Sequence, residues 1–446
     1  MRIKTEAALR EISETALKLS QKYGATSAEL SLNRGTGLSV DIHKEKVDKL
    51  EYHRDQGLSL TVYIGQHAGS ATTSDLSQQA IEDTVKAACN IAKYTGEDPY
   101  TGLADAELMI DSAEQKDLDL YHPWDLSAED AIEVATACEA AALGHDKRII
   151  NSDGASISTY TGMTLLANSH GFTGVIPSSR HSLSCSVIGQ EEGDEAMQRD
   201  YWYSTSRLNE QLESAQHVGQ KSAERTLARL NSRQLSTRKS AVMYSPEMAR
   251  SIISHFTGAI SGGSQYRKST YLLDSVDEKV FPDFVHLHEQ PHILQGFGSS
   301  CFDKEGVRTQ NRDIVVDGVV QSYIMGSYSA RQLGLQSTAN SGGTHNLTLD
   351  STGQSFDEML KLMDTGFLVT ELIGSGINGI TGDYSRGAAG FWVENGEIQF
   401  AVDEVTVAGN LKDMLQHIVA IGNDVDLRGS TRTGSILIEG MMIAGS

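Results

Sequence analysis

At 446 residues the chain exceeds the roughly 250–300 residues at which a single hydrophobic core stops growing, so two domains are expected. With 39% hydrophobic and 22% charged residues it has the make-up of a folded globular protein and is too apolar for a disordered one. A formal net charge of −22, from 37 Lys plus Arg against 59 Asp plus Glu, repels phosphate backbones and anionic lipid, which argues against nucleic-acid and membrane partners.

The chain opens Met1-Arg2-Ile3-Lys4 and passes directly into an acidic amphipathic pattern without an apolar signal core. No later stretch approaches the ~20 apolar residues of a membrane span, and a cytoplasmic protein is expected. Cys89, Cys138, Cys185 and Cys301 are widely spaced with no CxxC pair, the pattern of reduced thiols rather than of a disulfide framework or a thiolate zinc knuckle.

Apolar spacing predicts a helix over 5–23, carrying Leu9, Ile12, Ala16, Leu17 and Leu19, with Gly24 to end it. From 28 to 73 the period changes to two, in five runs (28–32, 38–43, 47–52, 58–64 and 68–73) separated by Gly, Asp and Lys turns, the signature of an antiparallel meander. Helices follow over 77–94 and from Ser127 to Gly144, the latter opened by an S-x-x-D cap at Ser127 and Asp130. Strands resume at 148–150, 155–160, 164–167 and 181–188, with turns at Asp153-Gly154, His170-Gly171 and Pro177-Ser178. A polar helical stretch at 208–230 and the basic run to Lys239 lie near the middle of the chain, and the domain boundary is placed there, giving domains 1–235 and 236–446.

Beyond the boundary, one clear helix is predicted over 246–260, with Ser245 as N-cap and Pro246 at the first helical position, where its missing N–H costs nothing. A further helix is expected over 355–363. The remainder reads as short strands (312–316, 319–325, 380–381, 390–394, 398–400 and 435–438), with Asp317-Gly318 and Asn395-Gly396 as hairpin turns. The fold class is therefore α+β: an N-terminal mixed α/β domain of antiparallel sheet and packed helices, then a β-rich, barrel-like C-terminal domain.

His288-Glu289-Gln290-Pro291-His292 spells the H-E-x-x-H of a zinc protease. That chemistry needs both histidines on one face of a helix, with the glutamate beside the metal-bound water. Pro291 breaks the helical turn, and Val285-His286-Leu287-His288 alternates as a strand does. Extended backbone separates the two histidines by roughly 13 Å at ~3.3 Å per residue, so no metal site is expected at His288, Glu289 and His292.

The run Thr381-Gly-Asp-Tyr-Ser-Arg-Gly-Ala-Ala-Gly-Phe-Trp-Val-Glu-Asn-Gly396 concentrates glycines and aromatics. It reads either as a surface where Gly387 to Gly390 offer backbone to an extended peptide, with Asp383, Tyr384, Ser385, Arg386, Gly387 and Gly390 as contacts, or as a buried hairpin in which Asp383 pairs with Arg386. His345, in the polar loop that includes Gly342-Gly343, is a candidate ligand or base, though a lone loop histidine is more often structural. Ser261-Gly-Gly-Ser264 lacks the G-x-x-x-x-G-K spacing of a phosphate loop, and no Gly-x-Ser-x-Gly elbow is present.

The same glycine-rich run resembles the TldD/PmbA family of metalloproteases, the modulators of DNA gyrase. So do Gly262-Gly263-Ser264, Tyr266-Arg267-Lys268-Ser269-Thr270, Tyr328-Ser329-Ala330-Arg331, Ala408-Gly-Asn-Leu-Lys-Asp-Met414 and Gly422-Asn-Asp424. The likeness covers essentially the whole chain, including Asp117 to Pro123 and Asn168-Ser-His-Gly171. It implies a cytosolic protease of two related subunits, TldD and PmbA, that degrades unfolded polypeptides and processes peptide precursors and antitoxins. The TldD side carries H-E-x-x-x-H on a helix. In this sequence the matching helix is 246–260, and the three positions read Ser254, His255 and Ala259. The TldD side also has a cysteine near its C-terminus, and Ser430-Thr-Arg-Thr-Gly-Ser435 offers none. The resemblance therefore implies a PmbA-side subunit with no metal and no catalytic residue of its own, zinc being expected in a TldD-type partner. Its partners would be that homologous subunit or a second copy of itself, and extended or unfolded peptides. Two other functions stay open from sequence: an autonomous zinc metalloprotease, and a peptide-binding regulatory homodimer without proteolysis.

Overall fold

The computed structural model describes residues 2–445. The N-terminal half runs α1 (Arg2–Lys22), β1 (Ser27–His43), β2 (Lys46–Ile64), β3 (His67–Thr73), α2 (Gln78–Tyr94), α3 (Ala128–Leu143), β4 (Ile149–Asn168), β5 (Thr173–Gln190), β6 (Met197–Ser206) and α4 (Ala215–Ala228). Its six strands form one antiparallel sheet in the order β3-β2-β1-β4-β5-β6. Leu30, Leu32, Leu38, Val40 and Ile42 share one parity on β1 and are all buried, so one face of the sheet is apolar throughout. Side by side on that face, α1 and α2 cover Leu30, Leu32, Leu58, Leu60 and Leu165, while α3 and α4 cover Leu38, Val40, Ile42, Ile157 and Val187.

The strands are longer than the sequence spacing suggests. The runs expected at 28–32 and 38–43 are one strand, as are 47–52 with 58–64, and the three at 148–167. Gly35, Gly37 and Gly162 turn no corner: a Cβ on Gly35 or Gly162 would strike the Tyr160 hydroxyl at 2.2 or 2.5 Å, so those two make room for the tyrosine side chain, while a Cβ on Gly37 would lie 2.5 Å from Thr159 O. Gly154, expected in a turn, forms a bulge within β4 at φ +111°, and Pro177-Ser178 lies inside β5. The helix expected over 208–230 is shorter, Ala215–Ala228, because Ser214 caps it by accepting from His217 N, and a short 3₁₀ turn occupies Asn209–Gln211.

The C-terminal half comprises β7 (Arg238–Tyr244), α5 (Pro246–Ala259), α6 (Gly262–Tyr266), β8 (Leu287–Glu289), β9 (Arg312–Val316), β10 (Val319–Val320), α7 (Ser327–Leu333), β11 (Leu347–Leu349), α8 (Phe356–Met363), β12 (Gly366–Ile373), β13 (Asp383–Glu394), β14 (Glu397–Asn410), α9 (Leu411–Gln416), β15 (Ile418–Ile421), β16 (Thr431–Arg432) and β17 (Ile436–Ala444). The order β14-β13-β12-β7-β17 closes on itself because β17 also pairs with β14, giving a five-stranded barrel with β15 attached at β17. A second, smaller sheet runs β10-β9-β8-β11-β16, and α5 packs Ile252, Ile253 and Phe256 into the core shared by barrel and sheet. The α+β class and the barrel-like C-terminal body thus agree with the sequence pattern.

Asp317-Gly318 and Asn395-Gly396 take positive φ at both residues, as two-residue hairpins require. The strand expected over 319–325 stops at Val320, and 380–381 lie outside any strand. Among the described residues no helix is long and apolar enough to cross a membrane.

Candidate functional site

The position expected to correspond to a metal helix is α5. Pro246 begins it, although the Ser245 hydroxyl makes no capping bond. Ser254 is exposed, His255 half-buried, and Ala259 lies in the core at 5% exposure. The His255 ring meets Tyr384 edge-on at 6.2 Å, and its Nε2 is buried without a hydrogen-bond partner. Burial, and then the nearby Arg386 guanidinium, hold its pKa below the usual histidine value. A zinc ion with a protease role needs three protein ligands and an open fourth position. One imidazole, one solvent-facing hydroxyl and one core methyl do not meet that need, so Ser254, His255 and Ala259 do not fit a metal.

The glycine-rich run forms β13. On one side Gly387 to Gly390 pair with β12 (Ile373↔Gly387, Val369↔Gly390) and on the other with β14 (Gly387↔Thr406, Gly390↔Val402). Further up, Ser385 N donates to Gly376 O at 2.7 Å and Asn378 N to Asp383 O at 2.8 Å, so a loop covers that edge too. Pairing of an extended peptide with the Gly387–Gly390 backbone is therefore corrected: the hydrogen-bonding groups are already used inside a closed barrel. Gly390 instead serves close approach, since a Cβ there would lie 1.8 Å from Leu368 O. Asp383 and Arg386 are not partners either. The Asp383 carboxylate accepts from Thr381 Oγ1 at 2.6 Å, while Arg386 Nε is buried without a partner. Asp383 and Ser385 face solvent, Tyr384 is in the core, and Arg386 is half-buried against it.

His288-Glu289-Gln290-Pro291-His292 is extended, its first residues lying on β8. His288 Nε2 is 2.9 Å from Asp350 Oδ1, whereas His292 Nε2 is 3.2 Å from Thr309 Oγ1, so the two imidazoles serve different neighbours. Glu289, 3% exposed, points the opposite way from His288 and accepts from Arg312 Nη2 (3.1 Å), Asn340 Nδ2 (2.9 Å) and the His345 backbone N–H. The His345 ring nitrogens are 3.2 Å from Gly298 O and Ala339 O. These residues hold the polar loop onto the small sheet.

One feature had no signal in the sequence. Between the sheet face opposite the N-terminal helices and the C-terminal half lies a cavity of about 630 Å³, lined by Glu29, Leu166, Phe297, Phe302, Asp303 and His345, among others. Its residues come from segments more than 300 positions apart, and no local pattern links them. Tyr63 donates to Glu29 at 2.6 Å, and burial raises the Glu29 pKa. Burial and then the neighbouring Glu305 push Asp303 up to about 7, against three backbone N–H groups, of Glu305, Val307 and Ser341, that favour the charged form.

Comparison with known proteins covers the whole architecture. Residues 28–92, 121–230 and 237–445 match the family models described as PmbA/TldA metallopeptidase domain 1, central domain and C-terminal domain. The chain is 49% identical to Metalloprotease PmbA of Escherichia coli O157:H7, over 98% of this chain and 96% of that protein. It is 47% identical to the Metalloprotease PmbA homolog of Haemophilus influenzae, over 99% and 97%. A crystal structure from Bacteroides thetaiotaomicron, described as a candidate modulator of DNA gyrase, superposes with a TM-score of 0.92 at 30% identity, over 98% of this chain and 99% of that one. TldE from Thermococcus kodakarensis shares the fold, at a TM-score of 0.83 and 17% identity over 97% of this chain and 100% of that chain. Three consecutive domain matches and near-complete alignment at close to half identity lead to one conclusion: the chain belongs to the PmbA/TldD metallopeptidase family.

Proposed function

We propose that this chain is the subunit without catalytic metal of a two-component cytoplasmic metalloprotease, whose zinc and water-activating groups reside in a TldD-type partner. The assembly degrades unfolded polypeptides and trims peptide precursors or antitoxins. The observation that carries this reading is the helix α5: where a metal-binding relative would need two imidazoles and a carboxylate, this chain has an exposed Ser254, a His255 beside Arg386 whose buried Nε2 has no hydrogen-bond partner, and Ala259 packed in the core. Because β13 has no free edge, its contribution to peptide binding falls to the side chains of Asp383, Ser385 and Arg386. Tyr384, Gly387 and Gly390 shape the wall behind them.

The test is reconstitution. Purified chain mixed with a TldD-type homologue from the same source should co-elute as one complex and raise cleavage of an unfolded polypeptide well above that of either component. Separate elution with no gain in cleavage refutes the proposal, and so does full peptidase activity of this chain alone.

A further inference from the structure

Among the described residues, one group of three or more potential ligands has its donor atoms within 4.8 Å of one another: His286, His288 and Asp350. His286 directly precedes β8 and His288 lies on it, two positions apart, so the strand period places both imidazoles on one face and Glu289 on the other. Their rings stack at 4.8 Å between centroids, 21° from parallel. Asp350 follows β11, the neighbouring strand, and its backbone N–H donates to His286 O at 3.1 Å, which fixes the carboxylate opposite the two rings. His286 Nδ1 is 2.7 Å from Asp350 Oδ2, and His288 Nε2 is 2.9 Å from Asp350 Oδ1.

The second nitrogen of His286 carries a further observation. His286 Nε2 is 2.8 Å from Asp313 Oδ1, on β9 at the other side of β8. A ligating histidine whose distal N–H donates to a carboxylate is the usual way a protein fixes ring orientation and raises ligand basicity toward a metal. Three strands therefore converge to supply two imidazoles and a carboxylate on one side, and an orienting carboxylate behind. His286 and Asp350 remain partly exposed, leaving room for water to complete the coordination.

We propose that His286, His288 and Asp350 form a divalent transition-metal site, with Asp313 as the positioning residue for His286. Two nitrogen donors and one oxygen donor suit Zn²⁺ and its near neighbours, whereas Ca²⁺ and Mg²⁺ require oxygen-rich sets. Ligand bonds of about 2.0–2.2 Å place donor atoms roughly 3.5 Å apart around a tetrahedral ion, so small side-chain rotations from the present positions suffice. The site clamps β8, β9 and the chain after β11 together. It is not the zinc site spelled by H-E-x-x-H, because Glu289 is buried on the opposite face and His292 bonds Thr309.

The measurement is equilibrium dialysis of the isolated, chelator-stripped full chain against Zn²⁺, with Co²⁺ absorption as a second readout. Neither uses peptidase activity, so the result is independent of the subunit role proposed above. One ion per chain is expected, with binding weakened at least 100-fold in His286→Ala and in Asp350→Asn, and unchanged in His292→Ala. Asp313→Asn should weaken binding by about 10–100-fold without abolishing it. If His286→Ala fails to fold, His288→Gln, checked by circular dichroism, takes its place and should also lose the ion and the visible bands of tetrahedral Co²⁺. No stoichiometric Zn²⁺ on the wild-type chain, or binding that survives in folded His288→Gln and Asp350→Asn, overturns the proposal and leaves the cluster a hydrogen-bonded group only.

Discussion

Replacing Glu289 should destabilise the fold rather than remove a catalytic base. The carboxylate is 3% exposed and accepts three hydrogen bonds, one from Arg312, whose guanidinium also donates to Asn340 Oδ1 (2.6 Å) and Tyr323 O (3.1 Å). Burial lowers the Arg312 pKa, and Glu289 is the group that opposes the shift. In Glu289→Ala the arginine stays buried without its counter-charge, a defect worth about 3–5 kcal/mol. Glu289→Gln keeps the volume, but its amide donors face Asn340 Nδ2 or the His345 N–H, and about 2–3 kcal/mol is expected to be lost. At roughly 2–4 °C per kcal/mol for a domain of this size, Tm should fall by about 10 °C in Glu289→Ala and by less in Glu289→Gln. Thermal unfolding followed by circular dichroism measures this, alongside cleavage by the reconstituted mixture normalised to folded protein. The double variant Glu289→Met/Arg312→Met should recover much of the stability, since removing both charges removes the desolvation defect. Wild-type Tm in Glu289→Gln together with abolished cleavage would refute the reasoning and restore Glu289 as a general base.

Two further perturbations probe the N-terminal half. A Cβ at Gly69 would lie 2.2 Å from Ala88 O and 2.4 Å from Ala92 N, so Gly69→Ala must push α2 off β3 and should cost about 1–3 kcal/mol in denaturant unfolding, while Gly96→Ala, with open space around it, should be near neutral. His181 is fully buried between Thr159 Oγ1 (2.8 Å) and His122 O (2.9 Å), and burial lowers its pKa. The unfolded chain therefore takes up a proton near pH 6.5 that the folded chain resists, so this contribution to stability is complete above about pH 6.5 and is lost as the pH falls through the folded value. Tm measured from pH 7.5 down to 5.5 should drop, and the drop should be shallower in His181→Gln; an equal slope in the variant would refute the assignment.

Local chemistry determined much of this protein from sequence. Asp317-Gly318 and Asn395-Gly396 were legible as tight hairpins, because a two-residue hairpin needs positive φ at consecutive positions and Asp, Asn and Gly tolerate it. Pro291 ruled out a helical zinc motif at His288, since a proline inside the turn removes a hydrogen bond and clashes with the preceding carbonyl. Pro246 announced α5 for the converse reason, its missing N–H being harmless at a helix start. Tertiary structure decided the rest. Gly35 read as a turn residue between two short strands until β1 paired with β4 and brought Tyr160, more than 100 residues away in sequence, into the space it leaves. Gly387 to Gly390 read either as free backbone or as a buried hairpin, and only the pairing of β13 with β12 on one side and β14 on the other decided that no edge is left beside them. His286 and His288 read as ordinary strand residues until β9 and the end of β11 brought Asp313 and Asp350 to the same face. Backbone preferences act over a few residues and can be read along the chain, whereas sheet closure and side-chain convergence are set by contacts whose sequence separation leaves no periodic trace.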